Sequence, residues 1–142
     1  MKFEVKIKPV ASPRPRVSRF GTYMPGKYVF YKEAIKNSFI KENPKFAPFT
    51  GELKVRIETI FAVPKSYSKK KRQMLLPIPG ICEHGAGYKG REDIDNLAKS
   101  ILDALNGVAY VDDSQITCLL VFKTYGEEDK VIVEIEEIGQ FI

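Results

Sequence analysis

Several residue types are scarce in this 142-residue sequence, and each scarcity excludes a class of site. The chain has no tryptophan, one histidine (His84) and two cysteines, Cys82 and Cys118. One histidine cannot form a multi-histidine metal centre, and the cysteines occur neither as CxxC nor with a histidine at zinc spacing. Structural zinc is therefore excluded, and both cysteines are expected to be free thiols.

The sequence also lacks a long apolar run. No segment approaches the roughly 18 consecutive apolar residues of a membrane-spanning helix. The N-terminal stretch MKFEVKIKPV alternates apolar and charged residues, unlike a signal peptide. We therefore expect a cytoplasmic protein with no membrane partner. The length suits a single domain, residues 1–142, with a sizeable core.

Positive charge is in excess, with 23 Lys and Arg against 18 Asp and Glu and a formal net charge of +5. This excess favours a polyanionic partner. The candidate DNA-binding residues are Arg14, Arg16, Arg19, Lys32, Lys36, Lys69, Lys70, Lys71 and Arg72. Phe20 and Tyr23, which follow the arginines of the 11–27 loop, could stack on unpaired bases. The alternative for the KKKR run is a solvated helix face.

Hydrophobic periodicity predicts an α+β fold. Strands are predicted at residues 2–9, 51–64, 116–125 and 130–138, and helices at 28–43, 66–76 and 95–106. The last two strands, joined by GEED, are expected to pair as a hairpin. The Pro- and Gly-rich segments 11–27 and 77–90 are predicted to be loops. This order favours one domain with helices packed on a mixed sheet.

Acidic residues gather in one stretch of this basic chain, GREDIDNLAKSILDALNGVAYVDDSQI, residues 90–116. If the chain is extended before the helix, Asp93 and Asp95 point to the same side. Two converging carboxylates repel each other unless a cation or protons lie between them. Mg²⁺ accepts carboxylate oxygens and keeps several waters, so a third acid, Asp113 or its neighbour Asp112, would complete a site.

The third acid must return through the fold, because a helix of about 12 residues is roughly 18 Å long. The segment VAYV has strand composition and is predicted to run back beside the helix as an extended strand.

Each of these signals has a plainer interpretation. Asp93 or Asp95 could only cap the helix and complement its dipole, and Asp112 and Asp113 could mark a turn. Lys99 lies four residues after Asp95, which is also the spacing of a helix salt bridge. Asp103 is expected to be solvated or paired with Lys99.

Taken together, DIDNLAKSILDAL followed by DDSQI resembles the RusA family of Holliday-junction resolvases, including its phage-encoded members. The spacing matches throughout residues 93–116, and VPKSYSKKKR is similar to the basic segment that many phage members place before the acids. The resemblance implies that Asp93, Asp95 and Asp113 bind the metal and that Lys99 is the essential lysine. It also implies that Asn96 orients a carboxylate and that Asp112 is a neighbour of the site.

The sequence departs from the family pattern in two places. Glu92 stands where many relatives have proline or a basic residue, which adds negative charge beside the site. The loop at residues 77–90 is not explained by the pattern, and His84 within it is expected to be an ordinary loop residue.

The resemblance implies a Mg²⁺-dependent endodeoxyribonuclease that resolves four-way DNA junctions by paired symmetric nicks in recombination and repair. It also implies a homodimer, whose two-fold symmetry would match that of the junction. Two other interpretations remain open. One is a metal-dependent nuclease that acts on flaps or other branched DNA, and the other is a non-catalytic DNA-binding protein whose acids are helix caps.

Overall fold

The computed structural model describes residues 1–13, 16–18, 21–23, 25–80 and 84–139, and for residues 16–18, 22 and 23 the backbone alone. The strands in this part are β1 (Lys2–Val5), β2 (Arg16–Ser18), β3 (Gly21–Tyr23), β4 (Glu52–Ala62), β5 (Ile116–Gly126) and β6 (Lys130–Gly139). The helices are α1 (Gly26–Glu42), α2 (Lys69–Leu75) and α3 (Ile94–Leu105), and a 3₁₀ turn (Asp113–Gln115) precedes β5. The predicted α+β class is confirmed.

A mixed four-stranded sheet organises the domain, in the order β1-β6-β4-β5. Strand β4 runs parallel to β5 and antiparallel to β6, and β6 pairs antiparallel with β1. Alternate residues of β4 are buried on one face, as period-two patterning requires. Helices α1 and α3 cover that face; the core includes Ile35, Phe39, Leu53, Val55, Ile57, Ile101 and Leu105.

The predicted hairpin between the last two strands is wrong, because β4 lies between β5 and β6. Residues 127–129 connect the two strands, and three extended residues span the about 10 Å that separates next-nearest strands. The end of β4 is held between them, since Asp129 Oδ1 accepts from the Ala62 N–H at 2.8 Å and Val63 N–H donates to Gly126 O at 3.0 Å. The turn signal was correct, but it could not show that an earlier strand is inserted.

The predicted loop at residues 11–27 contains a short antiparallel hairpin, β2 and β3, followed by the start of α1. Gly21, the first residue of β3, has a φ of 123°, a conformation that L side chains rarely adopt. The prolines exclude a helix from this segment but allow three-residue strands between them. The predicted short basic helix is confirmed as α2, capped by Ser68, whose hydroxyl accepts from the Lys71 N–H at 3.2 Å.

Buried tyrosines predict a loss of stability at alkaline pH. Burial raises the pKa of Tyr31 to about 12 from its ordinary 10.0. Between these values the unfolded chain releases the phenolic proton while the folded chain keeps it. The stabilisation is therefore complete below pH 10 and is lost as the pH rises towards 12, by about 2–3 kcal/mol for this one group.

The measurement is urea unfolding between pH 8 and pH 11.5, with Tyr31→Phe as the comparison. The variant should lose less stability over this range than the wild type does. Identical slopes would show that Tyr31 does not carry the effect.

Candidate functional site

One side of α3 is polar and faces away from the core. The opposite side of α3 packs into the core, and the buried residues of the helix are Leu97, Ala98, Ser100, Ile101, Ala104 and Leu105. Asp95, Lys99 and Asp103 follow one another at four-residue spacing, which places them along one exposed side of the helix. Asp95 and Lys99 are exposed, and Asp103 is half-buried.

The chain returns from the end of α3 through a turn, so the prediction that VAYV forms a strand is wrong. Gly107 takes a φ of 78°, which glycine adopts without strain, and its N–H donates to Tyr110 O at 2.8 Å. Tyr110 is fully buried, and its hydroxyl donates to Leu102 O on α3 at 2.6 Å. Tyr110 also forms an isolated parallel β-bridge with Phe49. A single anchored tyrosine thus replaces the expected strand.

The return ends at the 3₁₀ turn that presents Asp113. Asp112 precedes this turn as its cap: its carboxylate accepts from the Ser114 N–H at 3.3 Å, and its own N–H donates to the Gln115 side-chain oxygen at 2.8 Å. The hydrogen bonds from Ser114 lower the pKa of Asp112. Asp112 therefore shapes the turn that carries Asp113.

Gln115 fastens this turn to the start of β4. Its side chain is buried, and its amide nitrogen donates to Phe49 O at 2.8 Å and to Gly51 O at 3.0 Å. Sequence reasoning gave Gln115 no role. The available signal was its position three residues after Asp112, which is that of the second partner in a capping box.

Gln115→Leu should lower the free energy of unfolding by about 2–4 kcal/mol, because the carbonyls of Phe49 and Gly51 and the N–H of Asp112 would lose their buried partner. Urea unfolding measures this change. Gln73→Leu, on the exposed side of α2, is the matched control and should shift stability by less than about 0.5 kcal/mol. Equal effects of the two substitutions would show that the anchor is unimportant.

A groove of about 390 Å³ joins α3 to the 3₁₀ turn and β5. Its polar lining consists of Asp95, Lys99, Asp103 and Asp113, and its apolar lining of Ile94, Ala98, Leu102, Leu119 and Val121. Burial, followed by the negative charges of Asp113, Asp103 and Asp112, raises the pKa of the adjacent Tyr110 hydroxyl. The groove therefore combines three carboxylates and one ammonium group beside apolar side chains.

Asp93 occupies the N-cap position of α3 but does not cap it. Its side chain is exposed and makes no capping hydrogen bond, so the capping interpretation does not explain this residue. The backbone is extended at Asp93 and helical from Ile94, so the same-side rule for an extended chain does not hold between Asp93 and Asp95. Ile94 and Asp95 line the groove, and the carbonyl of Asn96 accepts from the Ser12 N–H at 2.9 Å.

Lys99 has no ion pair with any carboxylate in the described part of the chain, so the salt-bridge interpretation is wrong. Its ammonium group is therefore available to an anion that enters the groove. Asp103 was expected to be solvated or paired with Lys99. It is instead half-buried, and it lines the groove. The signal for Asp103 was its position eight residues, about two helical turns, after Asp95.

The donor chemistry of the groove fits a hard cation. Within the described ranges, no three Asp, Glu, His or Cys side chains are grouped closely enough to hold a metal ion. Asp95 and Asp113 nevertheless face one groove, and Mg²⁺ is commonly held by one or two carboxylates while waters and substrate phosphate fill its other positions. The residues therefore fit Mg²⁺ as partial ligands, whereas the three-acid site stays a prediction.

The predicted DNA-binding residues fall into different environments. The ammonium groups of Lys32 and Lys71 lie over the rings of Tyr28 and Tyr67, at 4.8 and 3.8 Å from the ring centroids. Arg72 donates to the carbonyls of Val63 and Pro64 at 3.1 and 3.0 Å, which fixes α2 to the end of β4. Lys69 and Lys70 are exposed, and Lys36 is half-buried. Arg14, Arg19 and Phe20 lie outside the described residues, and only the backbone of Arg16 and Tyr23 is described.

His84 is not an isolated loop residue. Its ring stacks on Phe122 at 5.2 Å between centroids, Nδ1 lies 3.3 Å from a Glu58 carboxylate oxygen, and Nε2 lies 3.2 Å from Arg56. This cluster lies on the sheet face opposite α1 and α3, where it attaches the loop to the sheet. It explains part of the role of the 77–90 loop, which sequence reasoning missed.

Two remaining expectations concern membranes and cysteines. Among the described residues, no helix combines the length and apolar character needed to cross a bilayer. Cys118 is an exposed free thiol, as predicted, whereas Cys82 lies outside the described residues.

One comparison with known proteins identifies a family, and a second finds a relative of similar length. The family model for endodeoxyribonuclease RusA matches residues 6–136. The chain is also 34% identical over 143 residues to the uncharacterized protein YqaN of Bacillus subtilis (strain 168), covering 98% of this chain and 97% of that protein. The family match includes α3, the 3₁₀ turn, β4 and β5, and therefore the whole groove, whereas β1 precedes it.

Proposed function

This chain belongs to the RusA endodeoxyribonuclease family, and from that premise we propose that it is a Mg²⁺-dependent enzyme that resolves four-way DNA junctions by paired nicks. Its place would be the cytoplasm, in DNA recombination and repair, acting as a homodimer. The observation that carries this proposal is the groove that Asp95, Lys99 and Asp113 line together.

The groove residues would have separate roles in phosphodiester hydrolysis. Asp95 and Asp113 would hold the ion, and Asp93, which does not line the groove, remains the predicted third acid. Bound there, Mg²⁺ would polarise a phosphoryl oxygen and lower the pKa of a coordinated water. Lys99, which has no ion pair among the described residues, supplies a fixed positive charge for the scissile phosphate or helps to position the water.

Basic residues must offset the repulsion between this acidic groove and DNA. Lys32 of α1, whose ammonium group lies over the Tyr28 ring, would supply one such positive charge. The exposed Lys69 and Lys70 of α2 add positive charge on a second element. Binding that depends on several such phosphate contacts should weaken steeply with added salt.

A second copy of the chain is supported by apolar side chains around the groove. Ile94, Val111 and Leu119 are 43, 61 and 41% exposed. Residues 116–121 of β5 have no strand partner on their outer side in the described part of the chain. A homodimer joined here would cover this surface and place one groove in each half of a two-fold assembly. Sedimentation equilibrium should then give the mass of two chains.

The test is a comparison of three end-labelled substrates, a four-way junction, a flap and a linear duplex, with and without Mg²⁺ on a denaturing gel. The proposal expects symmetric nicks in two opposed strands of the junction, only with the metal. Preferential cutting of the flap would favour another branched-DNA nuclease. No cutting of any substrate in any divalent metal would favour a non-catalytic DNA-binding protein.

A further inference from the structure

Lys123, in the middle of β5, bonds the segment that leads into the acids. Its ammonium group donates to the carbonyl oxygen of Glu92 at 2.8 Å and to that of Gly90 at 3.4 Å. Glu92 directly precedes Asp93, so both bonds act on the backbone that delivers the first acid of the motif. Lys123 is half-buried and does not line the groove.

The segment it holds, residues 84–92, is here called the strap. The strap follows the outer edge of β5 as a short extra strand, because the Tyr88 N–H donates to Lys123 O and the Tyr125 N–H to Ala86 O, both at 2.9 Å. These backbone bonds end at Tyr88. In the described part of the chain, the hydrogen bonds to the backbone of residues 90–92 come from the Lys123 side chain, while the Glu92 side chain interacts with the Tyr88 hydroxyl.

Tyr88 fixes the other side of the strap. Its ring stacks on Phe61, with centroids 3.8 Å apart and planes 7° from parallel, and it meets Tyr125 edge-on. A Cβ at Gly90 would collide with the Tyr88 ring, so the chain can pass over the ring only because residue 90 is glycine. The strap thus lies between an aromatic stack and the ammonium group of Lys123, 5.9 Å from the centre of the Tyr88 ring.

The start of α3 depends on this support. Asp93 makes no side-chain capping bond, so the helix start lacks the local hydrogen bond that usually fixes an N-terminus. A hydrogen bond from a charged donor to a carbonyl is stronger than a neutral one, and Lys123 makes two in succession.

We propose that Lys123 is a positioning residue of the nuclease site: by bonding the carbonyls of Gly90 and Glu92, it sets where Asp93 and Asp95 present their carboxylates to the metal. This inference rests on the proposed function for the identity of the ligand. Lys123 itself touches neither the metal nor the DNA.

The test compares Lys123→Met with Lys130→Met, a matched control on β6 whose ammonium group lies 3.8 Å from Glu4. In Lys123→Met, the hydrogen-bonded backbone amides on either side of the held carbonyls, those of Tyr88 and Leu97, should exchange with deuterium about tenfold faster without metal, as expected on losing bonds from a charged donor. The Mg²⁺ concentration for half-maximal junction cleavage should rise about tenfold. Junction binding in EDTA should stay within about twofold of wild type, because phosphate contacts determine it.

Two further variants serve as controls. Lys130→Met should leave amide exchange, Mg²⁺ dependence and junction binding unchanged, and Lys123→Arg, which retains N–H donors, should restore wild-type exchange and Mg²⁺ dependence.

The idea is overturned if folded Lys123→Met shows wild-type exchange at the amides of Tyr88 and Leu97 and wild-type Mg²⁺ dependence. If Lys123→Met does not fold, Gly90→Ala decides in the same way, because it displaces the strap from the Tyr88 side and should speed exchange of the same amides. Exchange needs neither metal nor DNA. A wild-type protein that cuts no junction therefore refutes the proposed function, while the exchange result still decides the role of Lys123.

Discussion

Asp95→Asn should reduce Mg²⁺-dependent cleavage of a four-way junction by about a thousandfold, because it removes one anionic ligand from the ion that stabilises the transition state. Asparagine has nearly the same shape, so the exposed side of α3 should fold unchanged. Binding of the junction without metal should be equal or tighter, since one negative charge that repels the phosphates is gone. Single-turnover cleavage and a gel-shift titration measure the two effects separately.

The matched control is Glu33→Gln, which removes one negative charge from the exposed surface of α1. It should leave cleavage within about twofold of wild type, as surface substitutions away from a site usually do. If Asp95→Asn cleaves like this control, Asp95 does not bind the metal and the site is assigned wrongly.

Lys99→Met should lower the single-turnover cleavage rate by about a hundredfold to a thousandfold, the usual loss when one electrostatic stabiliser of a transition state is removed. Methionine keeps most of the aliphatic stem, so packing beside Ala98 and Leu102 at the groove should persist. Because Lys99 makes no ion pair with a described carboxylate, its removal leaves no described acid without a partner. The loss should therefore appear in the rate, with junction affinity reduced by less than about fivefold.

Lys41→Met, in the last turn of α1, removes the same charge from an exposed position and should change the rate little. A Lys99→Met enzyme that cuts at the wild-type rate at saturating DNA, with weaker binding alone, would make Lys99 an ordinary phosphate contact.

The sequence predicts the local elements of this fold well. Helix α3 begins one residue before the predicted start at Asp95, and β4 follows the predicted alternation of buried and half-buried residues. Both depend on periodic patterns in which neighbouring residues carry the signal. Mixed pairing and the α+β class followed from the order of these elements.

The non-local pairings were beyond the sequence signals. Insertion of β4 between β5 and β6 depends on contacts between segments far apart in the chain, whereas GEED reports only a local reversal. The return of Asp113 depends on Tyr110 bonding to Leu102 and on Gln115 bonding to Phe49, none of which has a periodic signature.

The candidate site, like the fold, was predictable from the sequence only in part. The sequence motif indicated which acids and which lysine belong to the candidate site. In the structure, Asp95, Lys99 and Asp113 line one groove. The side-chain direction of Asp93 was not predictable, because the backbone changes from extended to helical between the two acids. Lys123 had no signal, since a lysine on a strand with alternating polarity is ordinarily solvated.

The central claim, that Asp95 and Asp113 close around one divalent ion, can be tested by replacing Mg²⁺ with Fe²⁺ and generating hydroxyl radicals with ascorbate and peroxide. These radicals cut the polypeptide beside the bound ion, and mass spectrometry locates the cuts. We expect cleavage close to Asp95 and close to Asp113, suppressed by excess Mg²⁺ and lost in Asp95→Asn. Cuts confined to other parts of the chain, or unchanged in Asp95→Asn, would contradict the claim.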